Sequence, residues 1–432
     1  MGQALQPPRL PGVSAAAYRR DRLGTALRGA RECGDVWQLR KGVYVAASAD
    51  ACEAVLRRTT YEYGTFPGTF PPSTRPDGSA PPAQESAHGH AARMRALRPR
   101  AVADRIGVIA PGAAAFAAGW PSGQEIDLLP YAKAALAGIG SRYLFCDDAE
   151  EMLAAGGGLG PARDAIVHGL PWPPWVPTPA RRALRRNQTR FCQQLLGVME
   201  RRRREGRLGD DLLGQMLRPS SQYGVLADGA VLDGLTGLMV AVSEVPTRAV
   251  GWLLLALAQH PQAADRVAAE AAALPRDPHA VTGEHLAGLR FTEALVREVL
   301  RLHPPNWLLG RHAVHHTELA GYPVPAGTTV LVCPYTAHRD PREHPDPEEF
   351  RPERWLTASG TPATSVFLPF GTGPRSCEGS AMAMAELTLI AAETARLHHL
   401  HEPPGPGPHY ALHTHSGLTP VGLRLRATPR RR

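Results

Sequence analysis

Lysine is almost missing from this chain of 432 residues: of 48 basic side chains, only Lys41 and Lys133 are lysines. The arginine excess, with abundant alanine, is a mark of a GC-rich genome and not of a binding task. Cysteine is sparse. The six residues Cys33, Cys52, Cys146, Cys192, Cys333 and Cys377 show no pairing and no C-x-x-C spacing, which excludes a disulfide scaffold and a zinc ribbon. No uninterrupted apolar run reaches the roughly 18 residues that a membrane span needs. The longest contender, Val231 to Gln259, is broken by Asp233, Glu244, Pro246 and Arg248. The first ten residues lack a charged-then-apolar signal pattern, so a soluble, cytoplasmic protein with no membrane partner is expected. Charge of one sign is not concentrated either. The net +8 is spread along the chain, and the one dense run, Arg201 to Arg204, is expected to end a helix, where cations suit the helix dipole. No nucleic-acid partner is expected.

Apolar residues make up 43% and charged residues 20%, enough to bury a large core. Residues 1–30 form an N-terminal segment, Pro-rich and then helical. Asp35 to Leu39 and Val43 to Ala46 alternate like a hairpin around Gly42, and Asp50 opens a helix to about Arg58. The Pro-rich residues 64–89 are expected to be a long surface loop. From about His90 to residue 310 the chain is mostly helical, interrupted by the Pro/Trp stretch Pro171 to Pro177. Residues 311–335 are strand-like, a final helix starts near Gly379, and residues 408–428 suggest a terminal hairpin. No linker divides residues 31–430, which are expected to form a single, mainly α domain with small β-sheet appendages.

The most informative stretch is Phe367-Leu368-Pro369-Phe370-Gly371-Thr372-Gly373-Pro374-Arg375-Ser376-Cys377-Glu378-Gly379, an F-x-x-G-x-R-x-C-x-G pattern. Its glycines allow close backbone approach to a flat ligand, and Arg375 favours a thiolate at Cys377. A Gly-rich turn around a buried thiol is the plainer alternative. All five fixed positions resemble the haem-binding loop of the cytochrome P-450 family. The resemblance implies that fold over roughly residues 30–428, with haem b (iron protoporphyrin IX) as cofactor and Cys377 as axial iron ligand. Such a thiolate pushes electron density onto iron and favours O–O cleavage. Phe370, Gly371 and Gly379 shape the cofactor loop.

Further segments are similar to the family in its own order. Glu298-Val299-Leu300-Arg301 puts a carboxylate and a guanidinium on one helix face, and Phe350-Arg351-Pro352-Glu353-Arg354-Trp355 resembles its P-E-R-F/W segment. The resemblance makes Glu298, Arg301 and Arg354 a buried structural network. It assigns the haem propionates to Arg375, Arg311 and Arg95, with Arg93 and His90 as alternatives because Ala91 stands where the family has His or Trp.

The central helix departs from the family. Its A-G-x-D/E-T pattern is replaced by Ala241-Val242-Ser243-Glu244-Val245-Pro246-Thr247. Heterolytic cleavage of dioxygen needs two protons, and the missing alcohol normally holds the water that relays them. Pro246 withholds an N–H from the Val242 carbonyl and is expected to kink the helix. Ser243, Glu244, Thr247 or a substrate hydroxyl are then the proton sources. An apolar pocket is expected from the 64–89 loop, Leu238, Ala241, Val242, Val245, Asn306, Trp307, Leu308 and residues 414–416. It suits a hydrophobic secondary metabolite: a terpenoid, polyketide or aromatic peptide. The resemblance implies a monooxygenase using dioxygen and an external ferredoxin and reductase, since arginines and a net positive charge suit an acidic partner. The alternatives are a peroxide-using member, a member that desaturates, couples or rearranges, and a haem-fold binding or activating partner without turnover.

Overall fold

Gly42, with φ of 73°, turns the chain between Val36–Arg40 and Val43–Ala46, which pair antiparallel as the alternation predicts. Positive φ is open to glycine because it has no Cβ to clash. The computed structural model describes residues 6–65, 83–167, 176–222, 224–356, 366–415 and 417–430. Most of the predicted 64–89 loop, the Pro/Trp stretch at 171–175 and Ser416 lie outside these residues.

Two compact units emerge, the first made of residues 1–67, 294–377 and 412–419. Its hairpin is extended by Thr329–Val332 in parallel, then by Leu309–Ala313 and Tyr63–Thr65, each antiparallel to the strand before it. Ser48 caps the helix Ala49–Arg57 by accepting the Ala51 N–H at 3.3 Å, a bond typically contributing about 1 kcal/mol. Cys52, Val55 and Leu56 of that helix pack with Val36, Tyr44, Val330, Val332 and Leu368 into one core.

The second unit, residues 68–293, 378–411 and 420–432, is mainly α. Its longest helix, Asp228–Gln259 (the central helix), is apolar on nearly all sides and therefore sits in a core. It packs on Leu128–Phe145 and on Ser380–Leu397, which also packs on Ile106–Ala118 and Pro261–Ala271. Length and composition would also suit this helix to a membrane, but 83% of its apolar window lies buried inside the protein. The arginine run does end a helix: Pro179–Glu205 starts at a Thr178 cap, finishes with Arg202, Arg203 and Arg204 in its last turn, and closes on Gly206 in the left-handed region.

One boundary differs from expectation. The helix before Arg98 begins at Ala83 and not near His90, since its alanines and Glu85 are good helix formers. Within residues 408–428, Ala411–His413 and Thr419–Val421 pair as a two-stranded sheet, as expected, while the last strand, Arg424–Pro429, joins Glu125–Asp127 and His398–His401 in a three-stranded sheet. The central helix runs on past Pro246 without interruption.

Candidate functional site

In the first unit, the helix Arg290–Leu302 carries Glu298 and Arg301, both fully buried. Arg301 uses all five of its N–H donors. Nε and Nη2 reach the two Glu298 oxygens at 2.9 and 2.8 Å, Nη1 reaches the carbonyls of His338 and Pro347, and Nη2 also reaches that of Glu349. Glu298 further accepts the Arg351 N–H at 2.9 Å, Arg354 Nε at 3.0 Å and the Trp355 indole at 2.9 Å. Burial works against the Glu298 charge, but these bonds and the Arg301 charge outweigh it and hold the carboxyl below its usual range. The three expected network residues thus meet. Trp355 is a fourth member that the sequence marked only as part of P-E-R-W.

The cysteine loop hangs from the same unit. Gly371 and Gly373 have φ of 67° and 74°. A Cβ on Gly373 would stand 2.6 Å from the Leu56 carbonyl oxygen, so only glycine fits there. The Cys377 N–H donates to the Phe370 carbonyl at 2.8 Å and the Gly371 N–H to that of Leu368 at 3.0 Å. No cysteine forms a disulfide, and Cys377 is exposed. Gly379 follows as the N-cap position of Ser380–Leu397.

Arg311 is buried, with Nε donating to Thr59 Oγ1 at 3.1 Å. Burial and the neighbouring Arg375 charge both push its pKa down. Two like charges side by side call for an anion, and haem propionates fit that demand. With the accessible Cys377 thiol, the donor set suits a thiolate-ligated haem. Trp307 is buried with its indole donating to the Thr414 carbonyl at 2.9 Å, so its N–H is spent within the protein. Asn306 and Leu308 are only partly buried.

In the second unit, the expected proton-delivery residues separate. Positions 237, 241 and 245 form the open stripe of the central helix, with Leu238 beside them; Ala241 is exposed and Val245 half-buried. Val242 is not on that stripe: its branched side chain packs into the space over Gly140 of Leu128–Phe145. Ser243 and Thr247 are buried, and Thr247 Oγ1 donates to the Ser243 carbonyl at 2.6 Å, the usual way a mid-helix hydroxyl is satisfied. Glu244 is buried and turned away, paired with Lys133 Nζ at 2.5 Å over Gly160. Arg248, one turn on, is pushed below its ordinary pKa by burial, with the Glu244 charge opposing.

On the helix Ala83–Ala96, His90 and Arg93 share one face and Arg95 does not. Arg93 donates through Nε and Nη2 to the Glu378 carboxylate at 2.7 and 3.0 Å, and His90 Nδ1 meets the same group. Burial opposes the Glu378 charge; Arg93 and then His90 outweigh it, and its pKa falls below the usual range. Arg95 is exposed and donates to Ser220 Oγ at 3.3 Å, which corrects its assignment to a propionate. Glu378 was missed because it occupies a free position of the loop pattern. The signal was an acid directly after the thiol, which needs cations nearby.

A family model for cytochrome P450 matches residues 160–425, more than half of the chain. The cyclooctat-9-en-7-ol 5-monooxygenase of Streptomyces melanosporofaciens is 34% identical over 66% of this chain. The pentalenene oxygenase of Streptomyces avermitilis is 30% identical over 64% of it. The alignments span 64% and 63% of those relatives' own lengths. Among solved structures, the haem domain of cytochrome P450DA superposes with a TM-score of 0.83 at 20% identity, over 99% of this chain and 98% of that one. A retinoic acid-bound cyanobacterial CYP120A1 superposes at 0.78 and 21%, over 99% of this chain and 100% of that one; both show the fold. Loop, network and matched length together establish that the chain belongs to the cytochrome P450 family.

Proposed function

We propose that residues 31–430 form one haem-thiolate domain that oxidises a hydrophobic secondary metabolite, with terpenoids the leading class. The names of the two Streptomyces relatives support that class. The observation that carries the activity is the Cys377 loop: a sulfur held by the Phe370 bond, with paired Arg375 and Arg311 cations on the same unit. Haem b would supply the activation of dioxygen, with electrons from an external ferredoxin and reductase.

The chain's own residues do the rest. Cys377 offers the thiolate, and Arg311 and Arg375 neutralise propionates. Leu238, Ala241 and Val245 present hydrocarbon to the substrate. Because Val245 has no hydroxyl and Ser243 and Thr247 spend theirs on the backbone, the chain places no alcohol on that stripe. Glu244 and the half-exposed Lys133 hold the exchangeable protons behind it, and a substrate hydroxyl completes the water chain.

Reduced protein under carbon monoxide should show the red-shifted Soret band of thiolate ligation. Cys377→His should lose that band. A variant that keeps it would assign the iron to another ligand. Val245→Thr, assayed with terpenoid alcohols and the matching hydrocarbons, should reduce peroxide leakage more for the hydrocarbons. Equal coupling with both would refute substrate-assisted proton delivery.

A further inference from the structure

The buried side chain of His338 joins the charge network around Glu298 to the loop bearing Cys377. Its Nδ1 lies 3.0 Å from the Arg301 carbonyl, and its Nε2 accepts the Leu368 backbone N–H at 2.8 Å. A carbonyl only accepts and a backbone N–H only donates, so the single ring proton sits on Nδ1. Burial pushes the pKa of the ring down to about 3, so this neutral tautomer persists at any working pH. Arg301 answers with a bond of its own, Nη1 donating to the His338 carbonyl at 2.9 Å.

The ring also stacks on Phe367, with centroids 6.3 Å apart and planes 16° from parallel. Phe367 meets Phe370 and Trp355 edge-on, and the Trp355 indole returns to Glu298. Beyond Leu368 the path continues: its carbonyl takes the Gly371 N–H, and the Phe370 carbonyl takes the Cys377 N–H. His338 therefore holds both the backbone and the ring at the point where the cysteine loop begins.

We propose that His338 is a positioning residue that carries the geometry of the Glu298–Arg301–Arg354 network into the cysteine loop and fixes where the Cys377 sulfur stands. This rests on Cys377 being the thiolate ligand. His338→Gln keeps an acceptor at the Nε2 position for Leu368. His338→Asn keeps a donor for the Arg301 carbonyl and leaves the Leu368 N–H buried without a partner.

The test uses haem-loaded protein, reduced under carbon monoxide. It times the decay of the red-shifted Soret band to the short-wavelength form and records far-ultraviolet circular dichroism and haem midpoint potential alongside. The Gln variant should decay within about twofold of wild type and the Asn variant about tenfold faster, the population shift that one orphaned buried N–H produces. Helicity should be unchanged and the potential displaced only in the Asn variant. Equal rates in all three proteins, or equally fast decay in both variants, would overturn the proposal. A wild type without the red-shifted band would instead overturn the thiolate reading. Should the Asn variant fail to load haem, amide exchange of wild type and the Gln variant decides. Leu368 should be as protected as Cys377 in both, and rapid exchange at Leu368 would overturn the clamp.

Discussion

Replacing Glu298 by glutamine changes one atom, and the cost should be about 3–5 kcal/mol, the usual price of breaking a buried charge network on one side. Three donors point at Oε1, from Arg301 Nη2, Arg351 N and Arg354 Nε; two point at Oε2, from Arg301 Nε and the Trp355 indole. Whichever way the new amide faces, its NH2 meets at least two donors. Each orphaned buried donor costs about 1–3 kcal/mol, and Arg301 and Arg354 also lose the charge that balances them. Against a total stability of about 5–15 kcal/mol, that loss is large. Urea unfolding with haem content as a second probe measures it. The pH dependence has a defined sign. The folded pKa of Glu298 lies below its unfolded value, so the native state holds fewer protons. Its contribution is fully present above the unfolded value of about 4.3 and is lost as pH falls through the folded value. Glu298→Gln should lack that acid limb. A Glu298→Gln protein within about 1 kcal/mol of wild type, with normal haem content, would refute the reasoning.

Arg93→Leu should lower the urea midpoint by the equivalent of about 3 kcal/mol, since Glu378 would be left largely buried with only His90. Arg95→Leu should change it by about 0.5 kcal/mol or less, as exposed substitutions do; the reverse order would show that the helix presents its other face. Gly373→Ala should abolish haem loading through its clash with the Leu56 carbonyl. Gly371→Ala meets open space and should lose only about 1–2 kcal/mol of left-handed strain; equal loss in both would count against the clash. Arg375→Leu should speed haem transfer to apomyoglobin and raise the ordinary basicity of Arg311 by removing a like charge; an unchanged transfer rate would remove Arg375 from the propionate role.

Where spacing along the chain defines a feature, the sequence was enough to find it. Cys377 and Arg375 sit two residues apart in one loop, and Glu298 and Arg301 sit three apart on one helix. Rotation about a helix axis was not legible. Nothing between Ala241 and Thr247 tells which side faces inward; Gly140, Gly160 and Lys133, on other helices, decide it by offering room or charge. The same limit hid the choice between Arg93 and Arg95. The partner that decides it, Glu378, bonds Arg93 and His90 and lies 285 residues beyond Arg93. His338 was not legible, because its two ring bonds go to backbone groups, which leave no trace in side-chain patterns.

Val242 stands where the family's pattern has glycine, and the space its branches fill exists because position 140 has no side chain. The bulk at this helix crossing is carried by one partner alone, so the two positions constrain each other. A Cβ added at 140 would stand 2.4 Å from Val242 Cβ and would force the two backbones apart. Glycine at 242 would instead leave two facing glycines, a hollow that loosens both helices although nothing collides. A side chain at 140 is therefore accommodated only together with a smaller one at 242.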